Sequence, residues 1–288
     1  MAIELDATLV RRLVGEALEE DRAADDATTA AVVAPDQRGR GAFLAKAPGV
    51  IAGLAFAEAA FRELDAGVMW AATAADGQVV TPGLTIATVE GPLGSLLRSE
   101  RTALNFLAHL SGIATATAAV IRLLGGTGCR LRDTRKTIPG LRIPEKYAAQ
   151  VGGAATFRTD LADAVMVKDN HLAALRAREL DIPDAVRLAR AKYPDLRVEI
   201  EVTTFDEACL AIEAGPDDIL LDNMDPAEIR RVVEFAAGLE HPPALEASGG
   251  ITTENAREYA ETGVDYVSIG AITHSAPALD LSLEIEGV

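Results

Sequence analysis

Residues 198–222 read VEIEVTTFDEACLAIEAGPDDILLD. Val198-Glu199-Ile200 and Ile219-Leu220-Leu221 are short apolar runs, and Phe205 to Ala214 between them has helical spacing, so strand, helix and strand succeed one another as in a βα unit. On either side the pattern repeats. Ala164-Val165-Met166-Val167 precedes it, and Ala244-Leu245-Glu246-Ala247 and Tyr266-Val267-Ser268-Ile269 follow, with helices expected at Leu172 to Lys192, Pro226 to Phe235 and Thr253 to Thr262. Short apolar strands alternating with helices imply a buried parallel sheet, either a barrel or a doubly wound sheet. The chain has no Gly-x-Gly-x-x-Gly fingerprint and no Walker loop, which weighs against the doubly wound nucleotide-binding alternative.

Before residue 112 the elements are mixed. Helices are expected at Leu9 to Glu19 and Val50 to Leu64, strands at Ala42 to Ala47 and Leu84 to Val89, and a strongly apolar helix at Glu100 to Ser111. These read as an α+β unit.

With 288 residues, 49% of them hydrophobic, the chain can bury a large core as one large domain or two unequal ones. Its formal charge of -17 argues against nucleic-acid binding, which needs a basic face. No uninterrupted apolar run approaches membrane-spanning length, and Met1-Ala2-Ile3-Glu4-Leu5-Asp6 lacks the order of a signal peptide, so a cytoplasmic protein without membrane contact is expected. Cys129 and Cys209 stand far apart and read as small buried side chains rather than a disulfide or zinc pair.

Each apolar run hands over to residues able to do polar work. Lys168 follows Val167, Glu201 follows Ile200, Asp222 follows Leu221, Ser248-Gly249-Gly250 follow Ala247, and Gly270 follows Ile269. Carboxyl ends of barrel strands converge on one mouth, where such residues can share a ligand. Ser248-Gly249-Gly250 suits a phosphate cradle, or a plain tight turn. Asp169 or Asn170 could cap the next helix, which leaves Lys168 unexplained. His109 reads as a packed, hydrogen-bonded core residue, whereas His274 could reach the mouth. Glu201 and Asp222 together suit Mg2+ bound along with phosphates. Asp133-Thr134-Arg135-Lys136-Thr137-Ile138-Pro139-Gly140 sets two cations side by side where a short strand, 128–132, enters a turn. In so acidic a chain, that pair suits a polyanionic small molecule.

These motifs, with Glu100-Arg101-Thr102-Ala103-Leu104-Asn105, Leu221-Asp222-Asn223-Met224 and Gly270-Ala271-Ile272-Thr273-His274, resemble the quinolinate phosphoribosyltransferase family nearly end to end. The resemblance implies an N-terminal α/β sandwich domain at 1–112, with the tail at about 275–288 packing back on it, and an incomplete α/β barrel at 113–274. It further implies a homodimer, or a higher oligomer built from it, whose site is completed by the neighbouring subunit. The implied substrates are quinolinate and phosphoribosyl pyrophosphate with Mg2+. The products are nicotinate mononucleotide, CO2 and pyrophosphate, in de novo NAD biosynthesis. Carried over by position, a neighbour's Arg101 joins Thr134, Arg135, Lys136 and Arg158 around the dicarboxylate, and Lys168 reaches both substrates. Glu201 and Asp222 take ribose hydroxyls or metal. Ser248, Gly249, Gly250, Gly270 and His274 cradle phosphate, and Ile269 and Ala271 beside them also bind substrate.

One position departs from the pattern. Phe157 stands in Gly152-Gly153-Ala154-Ala155-Thr156-Phe157-Arg158 where the family shows a polar, ionisable residue. Phenylalanine cannot hydrogen-bond a carboxylate, which favours a second reading, a related enzyme acting on nicotinate or another aromatic acid. A third is a binding protein without turnover, against which Lys168, Glu201 and Asp222 stand together.

Overall fold

The computed structural model describes residues 3–287. Its elements begin with α1 (Ala7–Glu20), α2 (Ala27–Val32), β1 (Arg38–Ala45), β2 (Gly49–Val50), α3 (Leu54–Leu64), β3 (Met69–Ala72), β4 (Val79–Val80), β5 (Thr85–Pro92) and α4 (Leu93–Leu123). They continue with β6 (Arg130–Arg132), α5 (Arg142–Val151), β7 (Val165–Val167), α6 (Asp169–Arg176), α7 (Ile182–Lys192), β8 (Val198–Val202), α8 (Phe205–Ala214) and β9 (Asp218–Asp222). The last are α9 (Pro226–Ala236), β10 (Ala244–Ser248), α10 (Ala256–Ala260), β11 (Tyr266–Ser268), α11 (Ala271–His274) and β12 (Leu281–Gly287).

Two compact units emerge: Ala119–Arg142 with Ala154–His274, and the remaining described residues, among them Ile143–Gly153 and the C-terminal strand. A cut at 112 therefore falls inside α4, which runs unbroken for 31 residues. By length and composition α4 could cross a membrane, contrary to the sequence expectation; half of its most apolar window is buried inside the protein.

In the N-terminal unit, Asp6 caps α1 by accepting from Thr8 N, and Val10, Leu13, Val14 and Leu18 form the buried stripe of a helix that packs on α3. An antiparallel sheet runs β12-β1-β5-β3, its register fixed from Gly39↔Gly287 to Ala45↔Leu281. Phe43 of β1 meets Phe61 of α3 and Trp70 of β3 at 5.9 and 5.4 Å between ring centroids, so one sheet face and the helices share a core. His109 bonds Glu145 at 3.0 Å, hydrogen-bonded as expected but only half-buried.

In the other unit, β6-β11-β10-β9-β8-β7 form one sheet of parallel strands. A parallel bridge, Arg132↔Ala155, adds a lane at the β6 edge, so the curled sheet is open between residue 155 and β7. Strand residues alternate. Val198, Ile200, Val202, Ile219, Leu221, Leu245, Ala247 and Val267 are buried on one face. Glu199, Glu201, Asp218, Glu246, Tyr266 and Arg132 occupy the other in matched register. The interior of this incomplete barrel is therefore polar, and the sequence shows period-2 alternation in place of the continuous apolar runs of ordinary parallel strands.

The expected helix at 172–192 is two helices. Glu179 adopts a positive φ of 60°, and Asp181 starts α7 by accepting from Ile182 N with Pro183 in the first turn, so the chain breaks and restarts there. α2, β3, α5, α11 and β12 lay outside the expected elements, and the helix expected from Val50 begins only at Leu54, after β2. Cys129 is buried as expected, but Cys209 is only half-buried.

Candidate active site

At the open side of the barrel lies a cavity of about 380 Å³ whose wall includes Arg135, Arg158, Met166, Lys168 and His171. Arg158 is 7% exposed. Its guanidinium crosses from the lane beside β6 to the β7 side, donating to Ala164 O at 3.4 Å and approaching Met166 Sδ at 3.1 Å. The Nε atoms of Arg158 and Arg135 are both buried without a hydrogen-bond partner, and neither side chain pairs with a carboxylate among the described residues. Burial, and then the nearby charge of Arg135, hold Arg158 below its ordinary pKa. Two close guanidiniums with unused donors ask for an anion.

Beside them, Lys168 at the end of β7 pairs with Glu201 of β8. Asp222, at the end of β9, is raised above its ordinary pKa by burial and then by Glu201, while Asn223, Lys168 and Lys136 oppose the rise. Asn223 Nδ2 donates to Asp222 Oδ2 at 2.7 Å, and Asn223 N donates to Ser248 O at 2.9 Å. Asn223 takes a positive φ of 55°, a conformation asparagine tolerates. A Cβ on Gly249 would lie 2.3 Å from Asn223 Oδ1, so glycine is required for the β10 loop to approach the end of β9. Lys136, Gly270 and His274 also meet: a Cβ on Gly270 would lie 2.8 Å from Lys136 Cδ and 3.1 Å from His274 Nε2. Thr273 Oγ1 donates to Lys136 O at 2.7 Å and anchors that loop to α11.

Three groupings of expected residues are thus seen: Arg135, Arg158 and Lys168; Lys168, Glu201 and Asp222; Lys136, Gly270 and His274. Thr134 Oγ1 accepts from Lys136 N at 3.0 Å, Ile269 is buried, Ala271 opens α11, and Gly250 follows Gly249 in a loop of positive φ. Arg101 lies exposed on α4, in the other unit. Helix α6 begins at Asp169 itself, so neither Asp169 nor Asn170 is its N-cap. Lys168 holds that position, and its N–H donates to His171 Nδ1 at 2.9 Å. With Nδ1 accepting, a neutral His171 carries its proton on Nε2. His171 is not among the expected site residues; its place three residues after Lys168 on a new helix was the available signal.

Beneath this mouth is a charged layer that the motifs did not announce. Arg132 is 5% exposed and bonds Glu246 at 2.6 Å and Asp218 at 2.8 Å, with Glu199 at 3.5 Å. Arg197 shares Asp218 at 2.6 Å. Burial disfavours the Arg132 charge, but Glu246 and Asp218 more than restore it and hold the group above its ordinary pKa. Glu199 is pushed well up by burial and by Glu246, and Glu246 is raised chiefly by burial. The Arg132 guanidinium lies 3.5 Å from the Tyr266 ring centroid and 5.2 Å from that of Phe157. Phe157 thus directs its ring at Arg132. The signal was the alternation of acids with apolar residues in 198–202.

Among the described residues no group of three or more His, Cys, Asp or Glu side chains is placed to hold a metal. Glu201 and Asp222, close enough to feel each other's charge, fit the narrower role of one or two carboxylates holding Mg2+ whose other ligands are phosphate oxygens and water.

Two family models match the chain: the quinolinate phosphoribosyl transferase N-terminal domain over residues 26–111 and its C-terminal domain over 113–284. The human nicotinate-nucleotide pyrophosphorylase [carboxylating] is 41% identical over 288 residues, 99% of this chain and 94% of that protein. Its counterpart in Mycobacterium leprae is 39% identical, covering 98% of each. The solved nicotinate-nucleotide pyrophosphorylase from Francisella tularensis superposes with a TM-score of 0.92 at 36% identity, over 99% of both chains.

Proposed function

The chain belongs to the quinolinate phosphoribosyltransferase family, and we propose how its residues divide the work of that reaction. The activity is transfer of the phosphoribosyl group from phosphoribosyl pyrophosphate to quinolinate, with loss of CO2, in NAD biosynthesis. The observation that carries the residue assignment is the buried pair Arg135 and Arg158, with unused Nε donors, at a cavity that Lys168 also lines. A planar dicarboxylate offers four oxygens to such a set, and paired Arg forks recognise it far better than point charges do. His171 Nε2–H adds a directional donor at the same wall.

The pyridine nitrogen attacks C1 of the ribose as the C1–O bond to pyrophosphate breaks. The chain need supply little covalent chemistry: it aligns nitrogen with C1 and stabilises charge where it develops. Glu201 and Asp222 take the ribose hydroxyls and face the cationic character growing at C1. Lys136, Gly270 and His274 on one side, and Ser248, Gly249 and Gly250 on the other, receive phosphate oxygens. Mg2+, held by Glu201 and Asp222, would neutralise the departing pyrophosphate. Once the nitrogen is quaternary, it stabilises the electron pair left at C2 when CO2 departs, and a proton completes the product. A neighbouring subunit's Arg101 closes the dicarboxylate pocket, which makes the working unit a homodimer.

Incubation with phosphoribosyl pyrophosphate, Mg2+ and either quinolinate or nicotinate tests the substrate. Nicotinate mononucleotide with stoichiometric CO2 from quinolinate is the expected result, and product from nicotinate alone would overturn it. The nicotinate reading rested on Phe157, whose ring is directed at Arg132.

A further inference from the structure

Arg158 is held weakly at its head. Its two hydrogen-bonded contacts go to a carbonyl at 3.4 Å and a thioether at 3.1 Å, and its Nε has no partner. A long carbonyl contact and a thioether, which is a weak acceptor, hold a guanidinium less firmly than a carboxylate does. Its direction must therefore be set at its root, where the chain leaves the lane beside β6.

That lane is firm as far as Thr156. Ala155 N donates to Leu131 O at 2.8 Å, Asp133 N donates to Ala155 O at 2.9 Å, and Thr156 Oγ1 donates to Asp133 Oδ2 at 2.7 Å. Beyond it, among the described residues, no backbone hydrogen bond ties Phe157 or Arg158 to β6. The tie to β6 that remains is the Phe157 ring, 5.2 Å from the Arg132 guanidinium, while on the other flank Thr159 N donates to Asp163 Oδ2 at 2.6 Å and Thr159 O accepts from Arg142 at 3.4 Å. Arg132 is a fixed platform, because Asp218 and Glu246 at 2.8 and 2.6 Å, Glu199 at 3.5 Å and the Tyr266 face hold it from other directions.

We propose that Phe157, by stacking on Arg132, is the positioning residue that aims Arg158 across the open side of the barrel, so that the Arg132–Phe157 pair sets the affinity for the aromatic dicarboxylate. An aromatic face against a buried guanidinium is directional, which a space-filling aliphatic side chain is not. The inference rests on Arg158 being a dicarboxylate ligand.

Full-length Phe157→Leu, which keeps apolar bulk and loses the ring, and Phe157→Tyr, which keeps the face, decide the matter through steady-state kinetics and direct calorimetric binding of quinolinate. Phe157→Leu is expected to raise KM and Kd for quinolinate about tenfold, the size of one desolvated cation–ring contact, with kcat and the KM for phosphoribosyl pyrophosphate within about twofold. Phe157→Tyr should restore wild-type values. Arg132→Lys should mimic Phe157→Leu, and the double variant should be no worse than the poorer single, as coupled neighbours require. Equal loss of affinity for both substrates, or Phe157→Tyr as weak as Phe157→Leu, would show a merely structural ring and overturn the proposal. Wild-type turnover with Phe157→Leu unchanged overturns this inference alone. Wild-type protein that neither binds nor converts quinolinate overturns the reading beneath it as well.

Discussion

Arg135 lies near enough to Arg158 for its positive charge to weaken Arg158's hold on its proton, second only to burial, and neither guanidinium bonds a carboxylate among the described residues. Folding has placed like charges together and left them unpaired. Such an arrangement costs stability and persists where a ligand supplies the missing charge.

Removing one of the two cations should therefore weaken ligand binding while relieving the free protein. Arg158→Met is expected to raise the KM for quinolinate at least about a hundredfold, the loss of a bidentate charged contact, with the KM for phosphoribosyl pyrophosphate little changed. The same variant should melt no lower than wild type, because a buried repulsion has gone. Paired kinetics and thermal unfolding check both halves. A variant that melts well below wild type would mean that Arg158 is structural.

The parallel strands were legible because their outward residues are continuously apolar from strand to strand and bury against helices. The mouth was legible because βα topology brings strand ends together whatever the loops contain. The charged layer was not, since Arg132 and Glu246 stand 114 positions apart and their pairing is written only in the barrel's closure. β12 was hidden for the same reason: residues 281–287 carry no local mark of pairing with β1. The break near Glu179 did carry a local mark, since Asp181 and Pro183 form the cap and first-turn proline of a new helix inside the expected one, but the apolar spacing runs on across it.

The interior layer should give the protein a pH-dependent stability. Burial and neighbouring acids raise Glu199 well above its ordinary pKa, so the folded chain retains a proton that the unfolded chain releases. Stability from that proton is complete below the unfolded carboxylate value of about 4.3 and is lost as pH rises through the folded value, at up to about 1.4 kcal/mol per pH unit. Glu199→Gln keeps the shape and removes the titration. Its Tm should gain on that of wild type as pH rises from about 5 to 8, where the unfolded carboxylate is ionised. Parallel Tm curves across that range would refute the assignment.

The two cysteines should differ sharply in reactivity. Burial, assisted by Asp265, pushes the Cys129 thiol up to about 12, whereas Cys209 is half-buried and raised by burial to a lesser degree. The thiolate is the reacting form, so Cys129 carries almost none of it near neutrality. Iodoacetamide on the native protein at about pH 8 should modify Cys209 first and Cys129 only after unfolding. Mass spectrometry of the peptides reads the order directly, and rapid native labelling of Cys129 would contradict its burial.

The proposed sharing of the site between subunits has a sharper test than a measured mass. Arg101→Ala and Arg158→Met should each abolish most activity as homodimers, because every site then lacks one cation. If Arg101 acts across a two-fold interface, a mixed dimer contains one site with both defects and one with neither. Unfolding and refolding the two variants together at equal concentration should then recover about a quarter of wild-type activity, since half the dimers are mixed and each has one intact site. If Arg101 instead served the site of its own chain, every site in the mixture would keep a single defect. No activity would return, and the shared-site assignment would fail while the remaining cations kept their roles.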